Sequence, residues 1–170
     1  MVFEDKIISR EIGDILYDSN LTVGTAESCT GGRIAEGLIA IPGASNYFKG
    51  GIICYSDEIK ERILGVDGQL IETNTAVDEE VARQMVKGAV ETLGVNYAIA
   101  STGFAGPGGG TSEIPVGTIW IACGTADNIV TMKLQEDFGR DINLAIATSK
   151  ALRLFLDFLN DQKVEAKDDE

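Results

Sequence analysis

The sequence predicts an α/β fold, a three-layer α/β/α sandwich around a mixed, mostly parallel sheet of about five strands. Three observations carry this. Over the first hundred residues helical stripes alternate with short apolar, β-branched runs, which implies right-handed crossovers and parallel pairing. Two strand-like runs then follow without a helix between them, which adds antiparallel strands. Many of the 20 glycines gather in loops, and three Gly- or Ser-rich elements each follow a strand.

Residues 3–18 carry Phe3, Ile7, Ile8, Ile12, Ile15 and Leu16 at helical spacing. Leu21–Ala26 reads as a short strand, followed by ESCTGG and a helix to about Ile41, where Pro42-Gly43 stops it. Gly51–Tyr55 is apolar and β-branched, the pattern of a buried strand. Ser56 can cap a helix to about Leu64, with Asp57 and Glu58 in its first turn. Residues 66–76 are irregular or a short helix. Asp78 caps a long helix whose stripe is Val81, Met85, Val86, Ala89, Val90 and Leu93, and Gly94 suits its C′ position. Asn96–Ser101 is a third strand, Thr102–Gly117 a glycine-rich loop, Thr118–Cys123 a fourth strand. Asn128–Gln135 is a fifth, and its alternation suggests one wet face. A last helix covers roughly Arg140–Leu159. Residues 1–160 read as one domain and 161–170 as a charged, disordered tail.

At 170 residues the chain can bury a sizeable core, and 44% hydrophobic with 24% charged residues is globular composition rather than disorder. A net charge of -13 argues against non-specific nucleic-acid binding. No apolar run is long enough to span a bilayer, and the N-terminus does not resemble a signal peptide. Cys29, Cys54 and Cys123 lack CxxC spacing and read as reduced thiols, consistent with a cytoplasmic protein. The chain has no histidine, which rules out a Ser-His-Asp triad, a Cys-His dyad or a His-containing zinc site within one chain. Proton transfer in such an enzyme falls to Lys, Tyr, Asp, Glu or a thiol, and no metal or other cofactor is expected.

Ligands of open α/β sheets sit outside the carboxyl ends of the strands. If the first three strands are parallel neighbours, the elements ESCTGG, YSDEIK and STGFAGPGGG converge there. The first puts Ser28, Cys29, Thr30, Gly31 and Gly32 at a helix N-terminus, where free N–H groups favour an anion. On position alone Ser28 or Thr30 reads as a helix cap. The second offers Tyr55 and Lys60; the helix dipole and burial both disfavour an ammonium at Lys60. By itself Lys60 reads as a surface lysine paired with Glu61 or Asp57. The glycine loop, including Gly103 and Gly106, matches neither Walker A nor a dinucleotide fingerprint, and alone reads as a long turn. Arg140 opens the last helix, where it can clamp a phosphate or simply be solvated. Cys29, beside these groups, is a packing residue or an activated thiol.

The stretches TAESCTGG (25–32), PGASNYFKGGIICYSDEIKERILGV (42–66), AVDEEVA (76–82), STGFAGPGGG (101–110) and PVGTIWIA (115–122) resemble the CinA C-terminal-domain family, over about residues 4–159. The resemblance implies a three-layer domain, a homo-oligomer, and hydrolysis of the carboxamide of nicotinamide mononucleotide (NMN) to nicotinic acid mononucleotide and ammonia. It assigns the family serine to Ser28, its tyrosine to Tyr55 and its lysine to Lys60. Thr102, Gly103 and Gly106 fall at the substrate, and the arginine near the C-terminus falls on Arg140. Ile114 stands where the family usually has lysine, and Asp78 where serine is common. A non-catalytic pyridine-nucleotide-binding or partner-binding module is the alternative.

Overall fold

A computed structural model of the protein describes residues 3–168, with side chains through Gln162. Its elements are α1 (Phe3–Leu16), β1 (Val23–Glu27), α2 (Arg33–Ile39), β2 (Phe48–Ile53), α3 (Asp57–Leu64), α4 (Gly68–Asn74), α5 (Glu79–Leu93), β3 (Tyr97–Gly103), β4 (Ile119–Gly124), β5 (Ile129–Leu134) and α6 (Arg140–Asp168). The five strands form one sheet in the order β2-β1-β3-β4-β5. β1 pairs in parallel with β2 and β3, and β4 is antiparallel to both β3 and β5. Four of the five strands therefore point the same way. The fold is the expected mixed three-layer sandwich.

Chain direction explains the layers. The β1-to-β2 crossover through α2 moves one way along the sheet, and the β2-to-β3 crossover through α3–α5 moves back past β1. Two right-handed crossovers in opposite directions must cover opposite faces. Accordingly α1, α2 and α6 bury Ile12, Leu38 and Phe155 against Ile99, Ile119 and Ile121 of one face. The other face presents Ala26, Ala98, Ala100 and Ala122 to Val81, Met85, Val86 and Ala89 of α5. Gly88 of α5 lies so close to α3 that a Cβ there would overlap the Leu64 carbonyl.

The start of α5 follows its caps. Asp78 Oδ1 accepts from the N–H groups of Glu80 and Val81, and Gly94 ends the helix in the left-handed region. Other elements depart from expectation. β2 starts at Phe48, three residues before the expected Gly51, and its residues alternate between half-buried and exposed. The GIICY run looked fully buried, but β2 is an edge strand with one face partly open. By contrast, residues 68–74 form a short helix, one of the two expectations for that stretch, capped by Asp67. The fifth strand's second face is not simply wet: Glu79 accepts from Thr131 Oγ1 at 2.7 Å, and Arg83 donates to the Ile129 carbonyl at 2.8 Å. α6 continues to Asp168, and most of the expected 161–170 tail lies outside the residues described in full. The β4–β5 turn, closed by Thr125 N–H to the Asn128 carbonyl at 2.9 Å, sits at the end of the sheet remote from Gly103.

Candidate active site

The carboxyl ends of β2, β1 and β3 lie side by side, so the three elements that follow them meet at one edge. Ser28, Cys29, Tyr55, Lys60, Thr102, Gly103 and Arg140 line a single cleft of about 210 Å³ there. Sequence order alone does not place them together; the central position of β1 does.

Ser28 follows the last residue of β1. Its N–H donates to the Ser101 carbonyl of β3 at 2.9 Å, and the Cys54 N–H donates to the Glu27 carbonyl at 3.0 Å. The nucleophile candidate is thus tied to both neighbouring strand ends. Lys60 lies on α3, whose first turn is capped by Ser56 Oγ accepting from the Ile59 N–H at 3.3 Å. It occupies the inward stripe one turn before Leu64, which explains why it is only 1% exposed. The expected pair with Asp57 is present, its Oδ1 3.8 Å from the Lys60 amine and that carboxylate 59% exposed, but the lysine end of it is buried rather than at the surface. No hydrogen bond joins Ser28 and Lys60 side chains among the described residues. Catalytic hydrogen bonds are often long before substrate arrives.

Tyr55 is 63% exposed, beyond the end of β2. Its hydroxyl meets Arg140 Nη2 at 3.4 Å, while Arg140 Nη1 donates to the Gly106 carbonyl at 2.8 Å. Arg140 thereby joins the loop after β2 to the loop after β3. Thr102 Oγ1 donates to the Ala76 carbonyl at 2.8 Å, so its hydroxyl is engaged and positions the segment before α5. At Gly103 a Cβ would press on Ile119 and the Thr118 carbonyl, which explains the residue. Gly106 is not on the cleft wall; it contributes its carbonyl to Arg140.

The turn after Ser28 differs from expectation. The helix N-terminus is not open to an external anion, because the Glu27 carboxylate fills it. Oε2 accepts from Thr30 Oγ1 at 2.6 Å, Gly32 N–H at 3.0 Å and Ile34 N–H at 3.0 Å, and Oε1 from Ala35 N–H at 2.8 Å. Gly31 N–H donates to the Ser28 carbonyl at 3.2 Å. The Thr30 side chain is buried against Glu27 and Ser101, and neither Gly31 nor Gly32 reaches the cleft. The N–H groups of Cys29 and Thr30 are the two in this turn without an oxygen acceptor among the described residues.

Burial pushes the Cys29 thiol up to about 11 and the Cys54 thiol up to about 11, and raises Cys123 further. A protonated Cys29 is a poor nucleophile, which disfavours the activated-thiol option. Among the described residues no three Cys, Asp or Glu side chains gather as a metal site requires.

Sequence reasoning missed Glu27, Val77 and Asn143. Asn143, buried in α6, donates to the Ala105 carbonyl at 3.0 Å and to Asp137 Oδ1 at 2.9 Å, and accepts from the Phe138 N–H at 2.9 Å. No local pattern marks such a residue. Glu27 was visible as an acid on a strand otherwise made of small or apolar residues, and that oddity was its signal.

Residues 5–159 match the CinA C-terminal domain. The chain is 46% identical over 117 residues to a CinA-like protein of Leptospira borgpetersenii, covering 69% of this chain and 28% of that one. It is 42% identical over 145 residues to a CinA-like protein of Shewanella sediminis, covering 85% and 34%. The chain thus spans about a third of the length of these relatives. The crystal structure of the competence/damage inducible protein CihA from Agrobacterium tumefaciens superposes with a TM-score of 0.90 at 34% identity, covering 94% of this chain and 98% of that one. A CinA superfamily protein from Escherichia coli gives 0.86 at 32%, covering 92% of each. With the family match running over residues 5–159, which span the three convergent elements, and the same architecture in solved relatives, the chain belongs to the CinA C-terminal domain family.

Proposed function

We propose that this cleft hydrolyses the carboxamide of NMN, releasing ammonia and nicotinic acid mononucleotide through an ester on Ser28. The observation that carries the reading is the pairing, in one cleft, of the Ser28 hydroxyl with the buried amine of Lys60 in a chain without histidine. Lys60, as the neutral amine, takes the proton of Ser28 Oγ while that oxygen attacks the amide carbon. The N–H groups of Cys29 and Thr30, which have no oxygen acceptor among the described residues, receive the developing oxyanion. The tetrahedral adduct collapses as the Lys60 ammonium, with Tyr55 in the same cleft, returns the proton to departing ammonia. Water, activated by the regenerated amine, then cleaves the ester. Arg140, braced by Gly106 and Tyr55, meets the substrate phosphate. The N–H groups of Gly31 and Gly32 take no part, being already engaged.

The test is ammonia release from NMN with product identification. Ser28→Ala and Lys60→Gln should each lower kcat by at least about 10³-fold. Turnover surviving in both variants refutes the mechanism. The missing hydrogen bond between Ser28 and Lys60 favours a second reading, a nucleotide-binding module without catalysis. Calorimetry showing NMN bound but never turned over would select it.

A further inference from the structure

We infer that Glu27 is the positioning residue of the nucleophile turn, its buried carboxylate holding the backbone so that Ser28 Oγ and the Cys29 and Thr30 N–H groups face the reacting carbonyl. The inference rests on reading Ser28 as the nucleophile and extends it to a group that touches no substrate.

Glu27 ends β1, is 1% exposed, and is surrounded by four donors. A carboxylate is the acceptor-only form that can serve all four at once. Three of those donors are backbone amides at the start of α2, which would otherwise be orphaned and would attract any anion. With an internal carboxylate seated there, the helix end is neutralised before substrate arrives. The anion-binding capacity left to the turn is the pair of N–H groups at Cys29 and Thr30.

The same carboxylate organises the side chains around the turn. Thr30 Oγ1, which donates to Glu27, also lies 2.7 Å from Ser101 Oγ on β3. The Glu27 carbonyl holds Cys54 at the end of β2, and Ser28 N–H is held by the Ser101 carbonyl. Loss of the carboxylate frees the first turn of α2 and releases the connection to β3 together. Charged hydrogen bonds of this kind fix geometry more firmly than neutral ones.

Glu27→Gln tests this with nearly the same volume. Its amide keeps one acceptor but turns an N–H₂ toward a backbone donor. Thr30→Val, which keeps the shape and removes the hydroxyl's links to Glu27 and Ser101, is the second variant should Glu27→Gln not fold. We expect Glu27→Gln to lower kcat for ammonia release from NMN by about 100-fold with KM changed less than about 3-fold, since a misaligned oxyanion site acts on the transition state. Thr30→Val should lower kcat by about 10-fold with the same KM pattern. Amide hydrogen exchange, read on the same folded proteins, should speed up at Gly32, Ile34 and Ala35 in Glu27→Gln and leave the core strands unchanged. A kcat within about 3-fold of wild type in the folded variants, or a loss carried mainly by KM, overturns the inference. Wild-type protein that fails to release ammonia from NMN sinks the amidase reading instead. Exchange then decides the role of Glu27: acceleration confined to that turn sustains it, and unchanged exchange overturns it.

Discussion

Two glycine-rich turns border the cleft, and they are held in opposite ways. The turn after β1 is organised from within, by the carboxylate of the residue immediately before it. The loop after β3 is organised from outside, by Asn143 and Arg140 of α6, which hold the carbonyls of Ala105 and Gly106. A turn bristling with N–H groups needs an acceptor, and a loop presenting carbonyls needs donors. Similar composition therefore hides opposite polarity. The first arrangement suits a site that must be rigid during bond making. The second ties the loop after β3 to a helix more than a hundred residues after the first turn.

The comparison breaks most easily at Asn143. Asn143→Ala removes three hydrogen bonds from a buried position and leaves the Ala105 carbonyl without its side-chain donor. It should cost about 2–3 kcal/mol in denaturant unfolding and raise KM for NMN more than it lowers kcat. A fall in kcat alone would mean that both turns share one function. Arg140→Lys tests the outer brace more gently. A single ammonium cannot reproduce the fork that spans Gly106 and Tyr55, so KM should rise about 10-fold with the melting temperature nearly unchanged.

Thr131→Val serves as a control remote from both turns. The hydrogen bond from Thr131, and next that from Arg83, holds the Glu79 carboxyl below its ordinary range. A depressed folded value contributes stability above the unfolded pKa and loses it as pH falls through the folded one. The wild type should melt about 1–2 °C above the variant at pH 7, and the gap should close below about pH 4, with kcat and KM unaffected. The smallest effect belongs to Cys29→Ala. With its thiol pushed up to about 11, Cys29 contributes its backbone rather than its sulfur, and ammonia release should stay within about 3-fold. Iodoacetamide at pH 7.5 should leave Cys29 of the wild type unlabelled.

Much of this was legible in the sequence where local rules decide. Asp78 and Gly94 marked the boundaries of α5 through caps and backbone sign, and the alternation of strands and helices predicted the parallel core. The convergence of Ser28, Tyr55, Lys60 and Thr102 followed once β1 lay between β2 and β3, and Arg140 joins them from α6. What escaped was set by tertiary context. The GIICY run carries the composition of a buried strand, yet its place at the sheet edge leaves every second residue of β2 exposed. Lys60 looked like a surface charge because its burial depends on which side of α3 meets the core. Glu27 escaped because the rule for helix N-termini supplies the vacancy but not the neighbour that fills it. Asn143 serves carbonyls far away in sequence, and no spacing records that.

The turn between β4 and β5 lies at the end of the sheet away from the cleft, with Asp127 exposed and its backbone closed by a local bond. It offers a natural handle for attachment. An affinity peptide spliced in before Asp127, or a surface linker placed there, would immobilise the protein with the cleft facing the solution.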